Sequence, residues 1–227
     1  MKDKSKERTY WDAFDGFYQM GPQKHREYAL DLLKNRGVKT LLDVGCGTGP
    51  IYQLIKDTME PTADMVTTRP RWDFEYKGTD YSQGMIEVCE REFPEGNWEV
   101  QDARNLTEPD SSWDAVFCMH TLDHLDDYKA AIASMARVAK KYVCIILWRS
   151  FVAEGTNLND RNTMGKEPGE EPWEDTHLQE YSRQVLEDEF EKNGLVIDHV
   201  AEGDAINSDS SHYNFIYLLR RKDYKDI

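Results

Sequence analysis

Apolar residues along this chain fall into two patterns, short continuous runs and stripes with a helical period. The runs predict seven strands, at residues 40–44, 74–79, 97–101, 113–118, 142–148, 195–200 and 213–219. The stripes predict the helices between them, at residues 23–36, 50–59, 82–93, 127–140 and 182–193. Strands that alternate with helices predict an α/β fold with a mostly parallel sheet.

Three segments fit neither pattern. Residues 1–22 crowd five aromatic side chains together, which indicates either a helix on the core or a lid over a site. Residues 60–73 contain two prolines and form either a border of the site or a surface decoration. Residues 149–180 are polar, and a loop of that length inside a compact domain is usually functional or mobile. We interpret all three as parts of one domain, residues 1–227.

The composition restricts the partners of this protein. Its 227 residues carry a net charge of -15, and such a field repels a phosphate backbone or an anionic membrane surface. No apolar run approaches the roughly 20 residues that a membrane helix needs, and the charged N-terminus lacks an apolar signal region. We therefore expect a cytoplasmic protein, monomeric or homodimeric, without nucleic-acid or membrane partners.

The four cysteines, Cys46, Cys89, Cys118 and Cys144, form no C-x-x-C pair. Such spacing is typical neither of a zinc site nor of a disulfide framework. We expect reduced thiols and no bound metal.

The clearest chemistry lies in LLDVGCGTGP, residues 41–50. A buried strand runs into three glycines at alternate positions, Gly45, Gly47 and Gly49, and a helix begins near the following proline. Glycine lets backbone pass close to a ligand, and the N–H groups of the turn and of the helix start face that ligand. Asp43 adds a carboxylate at the strand end, which suits a ligand with a cationic amine and hydroxyls.

Two further acids follow strands. Asp80 ends the second strand, 35 residues after Gly45, and the excess over the usual spacing of about 20 matches the insertion at 60–73. A carboxylate there can accept two hydrogen bonds from ribose hydroxyls, or it can simply start the next helix. Asp102 follows the third strand, where the alternative is an ordinary loop residue.

The D-x-G-x-G-x-G turn, Asp80, Asp102 and the loop at 119–125 together resemble the class I S-adenosylmethionine (SAM) dependent methyltransferases. The nearest group is the small-molecule type, represented by ubiquinone/menaquinone methyltransferases, and the resemblance covers residues 10–219. It implies a Rossmann-like three-layer sandwich, whose seven-stranded sheet is mostly parallel with strand 7 antiparallel. It also implies SAM as cofactor, S-adenosylhomocysteine as product, and a small-molecule acceptor whose accepting atom (O, N or C) stays open.

The resemblance assigns residues to the cofactor. In the family, the acid after the third strand meets the adenine amino group and the next backbone N–H meets a ring nitrogen, which points to Asp102 and Ala103. Tyr81 and Met85 are expected to flank the adenine, although a methionine there usually serves the core. The full expected set is Tyr10, Tyr18, Asp43, Gly45, Cys46, Gly47, Gly49, Asp80, Tyr81, Met85, Asp102, Ala103 and Cys118.

The loop after the fourth strand is where the resembled enzymes place groups near the reactive methyl. His120 in this loop is the expected catalytic base, because a neutral imidazole can take a proton near pH 7; the alternative is a histidine that is structural or that only lies beside the cofactor. Arg149 can hold a carboxylate or phosphate of the substrate, or form a surface ion pair. The expected substrate-binding residues are Trp11, His124, Trp148, Arg149, His177 and Tyr181.

Two signatures of related families are absent from the sequence. No N-P-P-[YF] motif follows the fourth strand, which disfavours methylation of amino groups in nucleic acid or glutamine, and no acid set of the catechol type predicts a metal. Other functions stay open: a SAM-binding regulatory or partner subunit, a lyase-like enzyme that uses the same pocket, or a protein methyltransferase with an acidic face. The glycine spacing disfavours a nicotinamide-dependent dehydrogenase.

Overall fold

The computed structural model describes residues 24–59, 72–147, 181–202 and 215–225. The predicted lid, most of the 60–73 segment and the 149–180 segment lie outside these residues. The interpretation of the whole chain as one domain remains a prediction.

Within the described ranges the chain forms five helices and seven strands. The helices are α1 (Lys24–Asn35), α2 (Pro50–Met59), α3 (Gln83–Glu92), α4 (Tyr128–Val138) and α5 (Arg183–Lys192). The strands are β1 (Thr40–Val44), β2 (Glu75–Asp80), β3 (Trp98–Val100), β4 (Trp113–Met119), β5 (Ala139–Leu147), β6 (Leu195–Glu202) and β7 (Phe215–Arg221). After β3 and β4 come two short 3₁₀ turns, Ala103–Asn105 and Leu122–His124. None of the described helices is long and apolar enough to cross a membrane.

The strands form one sheet in the order β3-β2-β1-β4-β5-β7-β6. Neighbours among β1 to β5 run parallel, whereas β7 lies antiparallel between β5 and β6. The prediction of a mostly parallel sheet with a reversed strand 7 is confirmed. The strand order reverses between β1 and β4, and in open α/β sheets ligands bind at the carboxyl ends of the strands beside such a point.

Helices cover both faces of the sheet, which gives three layers. Leu42 and Val116 belong to an apolar cluster with α4 and α5, while their neighbours Leu41 and Phe117 belong to a second cluster with α1 and α2. Adjacent residues face opposite layers because side chains along a strand have a period of two. β4 is buried at every position except its last, which explains why it reads as a continuous apolar run.

The boundary between α4 and β5 differs from the prediction. α4 ends at Val138 and β5 begins at Ala139, so residues 139 and 140, which were predicted to end the helix, belong to the strand together with residue 141. The N–H of Ala139 closes the last helical turn on the carbonyl of Met135, and Ala139 also pairs with Trp113 of β4. One residue therefore serves both elements. The other ends coincide with the predicted ones or differ from them by one or two residues.

Two serines occupy the N-cap positions of described helices. The side chain of Ser82 caps its helix, since its Oγ accepts the N–H of Met85 at 3.1 Å at the start of α3. Ser182 occupies the cap position of α5, but its side chain makes no capping hydrogen bond. The cap on α3 matters for the site because this helix begins directly after β2.

Candidate functional site

The carboxyl ends of four adjacent strands bring predicted site residues to one edge of the sheet. Val44 lies opposite Thr79 in the β1–β2 pair, and Asp80 lies opposite Val100 in the β2–β3 pair. β4 runs parallel to β1 on its other side and ends at the same edge. The predicted residues that share this edge are those of the glycine turn, Asp80, Asp102 and His120.

The turn after β1 is shaped by backbone contacts that glycine allows. The N–H groups of Gly45 and Cys46 both donate to the carbonyl of Thr79, at 2.7 and 2.9 Å. Gly45 has a φ of 75°, and a Cβ there would lie 1.9 Å from Oγ1 of Thr121 in the loop after β4. Gly47 has a φ of 55°, but a Cβ there would meet no atom of the described residues within 4 Å. Gly45 is thus required for packing, whereas at Gly47 the described residues leave space that a ligand can enter.

Asp80 joins the glycine turn to the start of α3. Its Oδ2 accepts the N–H of Gly47 and its Oδ1 accepts the N–H of Ser82, both at 2.9 Å. Two backbone groups from different loops therefore orient the carboxylate. The acid expected to hold the ribose is fixed by the same turn that is expected to hold the rest of the ligand.

The thiol of Cys46 packs against α3. Cys46 is 3 % exposed and clusters with Ile86 and Cys89 of that helix. Both thiols donate to the carbonyl of Gly47, from Cys46 at 3.7 Å and from Cys89 at 3.1 Å. Burial raises the pKa of the Cys46 thiol well above its usual value. The structure thus gives this side chain a packing role.

Asp43 is a buried acid. Only 2 % of it is exposed, and its Oδ2 accepts the hydroxyl hydrogen of Tyr76 at 2.6 Å. Burial raises the pKa of Asp43 to about 7; the bond from Tyr76 and the charge of Arg26 act against this rise, and the charge of Asp80 adds to it. Tyr76 was not predicted. It pairs with Leu41, two residues before Asp43 on the same face of β1, so the contact is a diagonal cross-strand pair.

α1 contributes two buried polar residues that the sequence-based prediction did not include. His25 is 3 % and Arg26 is 2 % exposed. They precede Ala29 and Leu30 by one helical turn, so they lie on the buried stripe of α1. Burial lowers the pKa of Arg26 to about 10, and the charge of Asp43 opposes this change. The signal that would have identified both is the presence of polar residues one helical turn before apolar residues of the buried stripe.

His120 follows β4 with an uncommon backbone conformation. Its φ is 55°, and its N–H donates to the carbonyl of Ile146 in β5 at 2.8 Å. Its ring lies beside that of His25, with 5.7 Å between the ring centroids. Burial lowers the pKa of His25 to about 3, and the charges of His120 and Arg26 add to the effect. Left-handed backbone at a non-glycine residue is concentrated at functional sites, which favours a role for His120.

The residues expected at the adenine end are linked by Arg104, which was not predicted. Asp102 begins the 3₁₀ turn after β3, and its Oδ1 accepts the N–H of Arg104 at 2.9 Å. The guanidinium of Arg104 also binds this carboxylate and lies over the ring of Tyr81. Ala103 and Met85 are 7 % and 3 % exposed.

The loop after β4 is held by Tyr181. Its hydroxyl donates to the carbonyl of Leu122 at 2.6 Å, and its ring packs edge-on against Tyr128. His124 ends the 3₁₀ turn of this loop and is partly buried. Cys118 of β4 is 1 % exposed within the apolar core, and burial raises the pKa of its thiol to about 12. Tyr181 thus supports the loop, and the Cys118 thiol is a packing group.

Six predicted residues lie outside the described residues: Tyr10, Trp11, Tyr18, Trp148, Arg149 and His177. Their roles remain predictions. Within the described ranges, no group of three or more His, Cys, Asp or Glu side chains is arranged to hold a metal ion.

The burial of Asp43 predicts a pH-dependent stability. Because its folded-state pKa is raised from 3.8 to about 7, the folded protein holds this proton more tightly than the unfolded chain, and stability falls as pH rises from about 4 to about 7. An Asp43→Asn variant cannot ionise. As the pH rises from 5 to 8, the free energy of unfolding of the wild type should fall by about 2–3 kcal/mol relative to that of the variant. Both free energies are measured by unfolding in urea.

Asp57→Asn is the matched control for this measurement, because Asp57 is exposed on α2. Its difference from the wild type should be the same at both pH values. Titrating groups that do not interact with Asp43 contribute equally to the wild type and the Asp43→Asn variant, so a pH-independent difference for that variant would contradict the prediction.

The chain matches a protein-family model described as "Methyltransferase domain" over residues 17–200. This match covers most of the chain, and the protein belongs to that family. The demethylmenaquinone methyltransferase of Thermotoga maritima is 27 % identical over 118 residues, which are 52 % of this chain and 46 % of that protein. The ubiquinone/menaquinone biosynthesis C-methyltransferase of Desulfotalea psychrophila is 28 % identical over 141 residues, 60 % of this chain and 52 % of that protein. The chain spans about half the length of these curated relatives.

Solved structures share the fold over nearly the whole chain. The magnesium protoporphyrin IX methyltransferase of Synechocystis PCC 6803, crystallised with S-adenosylhomocysteine, has a TM-score of 0.66 at 17 % identity and covers 96 % of this chain and 100 % of that one. The cyclase SpnF has a TM-score of 0.59 at 17 % identity and covers 92 % of this chain and 85 % of that one. The predicted Rossmann-like sandwich is confirmed.

Proposed function

We propose that this protein is a SAM-dependent methyltransferase, which moves a methyl group from SAM to a small-molecule acceptor and releases S-adenosylhomocysteine. The observation that carries the proposal is the Asp80 carboxylate, which binds the N–H of Gly47 and so holds an acid beside an open backbone turn. Membership of the methyltransferase domain family supports the same function.

The described residues include groups whose chemistry suits each part of such a cofactor. The glycine turn and Asp80 suit the ribose, and Asp102 with Ala103 suits the adenine ring. Asp43 suits the cationic amine, whose charge would favour the ionised form of this buried acid. When bound, SAM supplies a methyl group on a positively charged sulfur, so the protein mainly has to position the acceptor and accept a proton.

We assign the role of general base to His120. The next residue, Thr121, donates its Oγ1 hydrogen to the carbonyl of Gly45 at 3.3 Å. The loop after β4, which contains His120, therefore packs directly on the glycine turn. A base in this position would take the proton that the acceptor loses. Tyr181 supports this loop from outside. The remaining residues proposed at the site are Tyr10, Tyr18 and Met85 for the cofactor, and Trp11, His124, Trp148, Arg149 and His177 for the acceptor.

The acceptor is proposed to be a small organic molecule. Similar proteins named as quinone and porphyrin methyltransferases support this class. The net charge of -15 disfavours a nucleic-acid substrate. We place the protein in the cytoplasm as a monomer or homodimer, and the accepting atom stays open.

Calorimetric titration with SAM, S-adenosylhomocysteine and NAD tests the pocket. We expect both adenosyl ligands to bind and NAD to give no binding heat, because the glycine spacing differs from the dinucleotide fingerprint. Binding of NAD instead, or of none of the three, would overturn the proposal.

A second candidate is a SAM-binding protein that transfers no methyl group. The cyclase SpnF has the same fold, so the fold alone does not establish methyl transfer. An acceptor screen with methyl-labelled SAM separates the two candidates, using a demethylated naphthoquinol, a porphyrin carboxylic acid and simple phenols and amines. A labelled product supports the methyltransferase, whereas tight SAM binding without any labelled product supports the second candidate.

A further inference from the structure

Arg104 links three loops at the site edge. Its Nε binds Oδ1 of Asp102 at 2.8 Å, and one terminal nitrogen binds Oδ2 at 2.9 Å. The other terminal nitrogen binds Oδ1 of Asp126 at 2.9 Å. The guanidinium carbon lies 5.7 Å from the centre of the Tyr81 ring. Arg104 therefore contacts residues that follow β2, β3 and β4.

The contact between Arg104 and Asp102 fixes the plane of the carboxylate. A guanidinium that donates two parallel N–H groups to both oxygens is the most directional pairing of a carboxylate in proteins. The backbone N–H of Arg104 adds a further bond to Oδ1 at 2.9 Å. An aspartate without such a partner has a broad range of χ2 angles, so these bonds determine where the acceptor oxygens point.

The two side chains differ in exposure. The side chain of Arg104 is 10 % exposed, and that of Asp102 is 33 % exposed. The guanidinium is thus the inner group, and the carboxylate keeps an accessible edge. A nearly buried arginine is costly to desolvate unless its hydrogen bonds are made, so this pair is more rigid than an exposed ion pair.

We propose that Arg104 is a positioning residue that determines specificity for the base. By holding the Asp102 carboxylate, it directs an acceptor oxygen at the exocyclic amino group of an adenine ring and so selects adenosyl ligands over purines that lack this group. The inference rests on the proposed function, in which Asp102 meets the adenine. Arg104 acts through Asp102 and through the Tyr81 ring beneath the guanidinium.

The test compares S-adenosylhomocysteine with its 6-deamino analogue, in which hydrogen replaces the amino group and the ring nitrogens are kept. Calorimetry should show that the wild type prefers the adenosyl ligand by about 10- to 100-fold, the range of one hydrogen bond to a charged acceptor. Arg104→Ala should reduce this preference to about threefold or less. Arg104→Lys keeps the positive charge but cannot donate two parallel N–H groups to the carboxylate, so its preference for the adenosyl ligand should also be smaller than that of the wild type.

Arg137→Ala is the matched control. Arg137 braces the same segment through the carbonyls of Leu106 and Glu108, and it pairs with Asp110 instead of Asp102. A general loosening of this segment lowers the affinity for both ligands equally and leaves their ratio unchanged. We therefore expect this variant to keep the wild-type preference.

Retention of the wild-type preference in both Arg104 variants would overturn the inference, and so would a wild type that binds the two ligands equally. Where Arg104→Ala fails to fold, the Arg104→Lys ratio decides. Failure of the wild type to bind S-adenosylhomocysteine at all is a different result, which overturns the proposed function.

Discussion

The Asp80→Ala variant should bind S-adenosylhomocysteine at least about 100-fold more weakly than the wild type. The substitution removes the proposed acceptor for two ribose hydroxyls, and a hydrogen bond to a charged group contributes about 1.5–3 kcal/mol. It also removes the 2.9 Å bonds that hold the N–H groups of Gly47 and Ser82, so the glycine turn loses one of its links to α3. Calorimetric titration measures the loss directly.

A ligand without the hydroxyls separates these two contributions. The 2′,3′-dideoxy analogue of S-adenosylhomocysteine lacks the groups that Asp80 is proposed to bind. If the ribose contact dominates, the wild type binds this analogue weakly and Asp80→Ala weakens it little further, as a double-mutant cycle requires for a direct contact. If the loosened turn dominates, Asp80→Ala weakens both ligands equally.

Asp57→Ala serves as the control, because it makes the same charge change at an exposed position of α2. Its affinity should stay within about twofold of the wild type, since an exposed charge is screened by solvent. Equal affinities of Asp80→Ala and wild type would remove Asp80 from the cofactor site.

The sequence brings together those residues of the candidate site that stand directly after the predicted strands. The glycines of the turn and the acids at Asp80 and Asp102 stand directly at the ends of strands. Parallel strands place their carboxyl ends on one edge, so finding the strands was enough to bring these residues together. The reversed β7, which the structure confirms, was implied by the family resemblance and not by this spacing.

The partners of those residues were not predictable in the same way, because they join residues far apart in the sequence. The hydroxyl of Tyr76 donates to Asp43, which lies 33 positions earlier in the sequence. The ring of His25 in α1 lies beside the ring of His120, which follows β4. The first contact depends on the register between β1 and β2, and the second depends on the rotation of α1 about its axis. A pattern of hydrophobic positions shows neither. For the same reason the pattern gave no indication that Arg104 would bind Asp126, which lies 22 positions further along the chain.

The hydrophobic core and the candidate site can also use the same residue types. Cys46 and Cys118 stand at sequence positions that the family resemblance associates with the cofactor, yet their thiols are 3 % and 1 % exposed. A small apolar side chain beside a glycine turn or within a central strand fills space in the interior, as free cysteine commonly does. Sequence position places these residues after β1 and at the end of β4, and packing shows that their side chains point into the interior.

Replacement of His120 should cut turnover by about 100- to 10,000-fold, the range that general base catalysis contributes, while SAM affinity stays within about threefold. His120→Gly is the preferred variant, because its φ of 55° suits glycine and the bond from its N–H to Ile146 is kept. Turnover is measured as labelled methyl transfer to an acceptor that the wild type uses, and SAM affinity by calorimetry.

Added imidazole then decides between a base and a structural histidine. In His120→Gly the deleted ring leaves space beside His25, and a small diffusible base that enters it should restore part of the turnover in proportion to its concentration. A merely structural histidine gives a loss that imidazole does not reverse. His199→Asn, on strand β6 where the ring bonds the Tyr28 hydroxyl at 2.7 Å, is the control and should keep near-wild-type turnover. Wild-type turnover in His120→Gly would remove His120 from the mechanism, and the proton would then have to leave the acceptor through another group or to water.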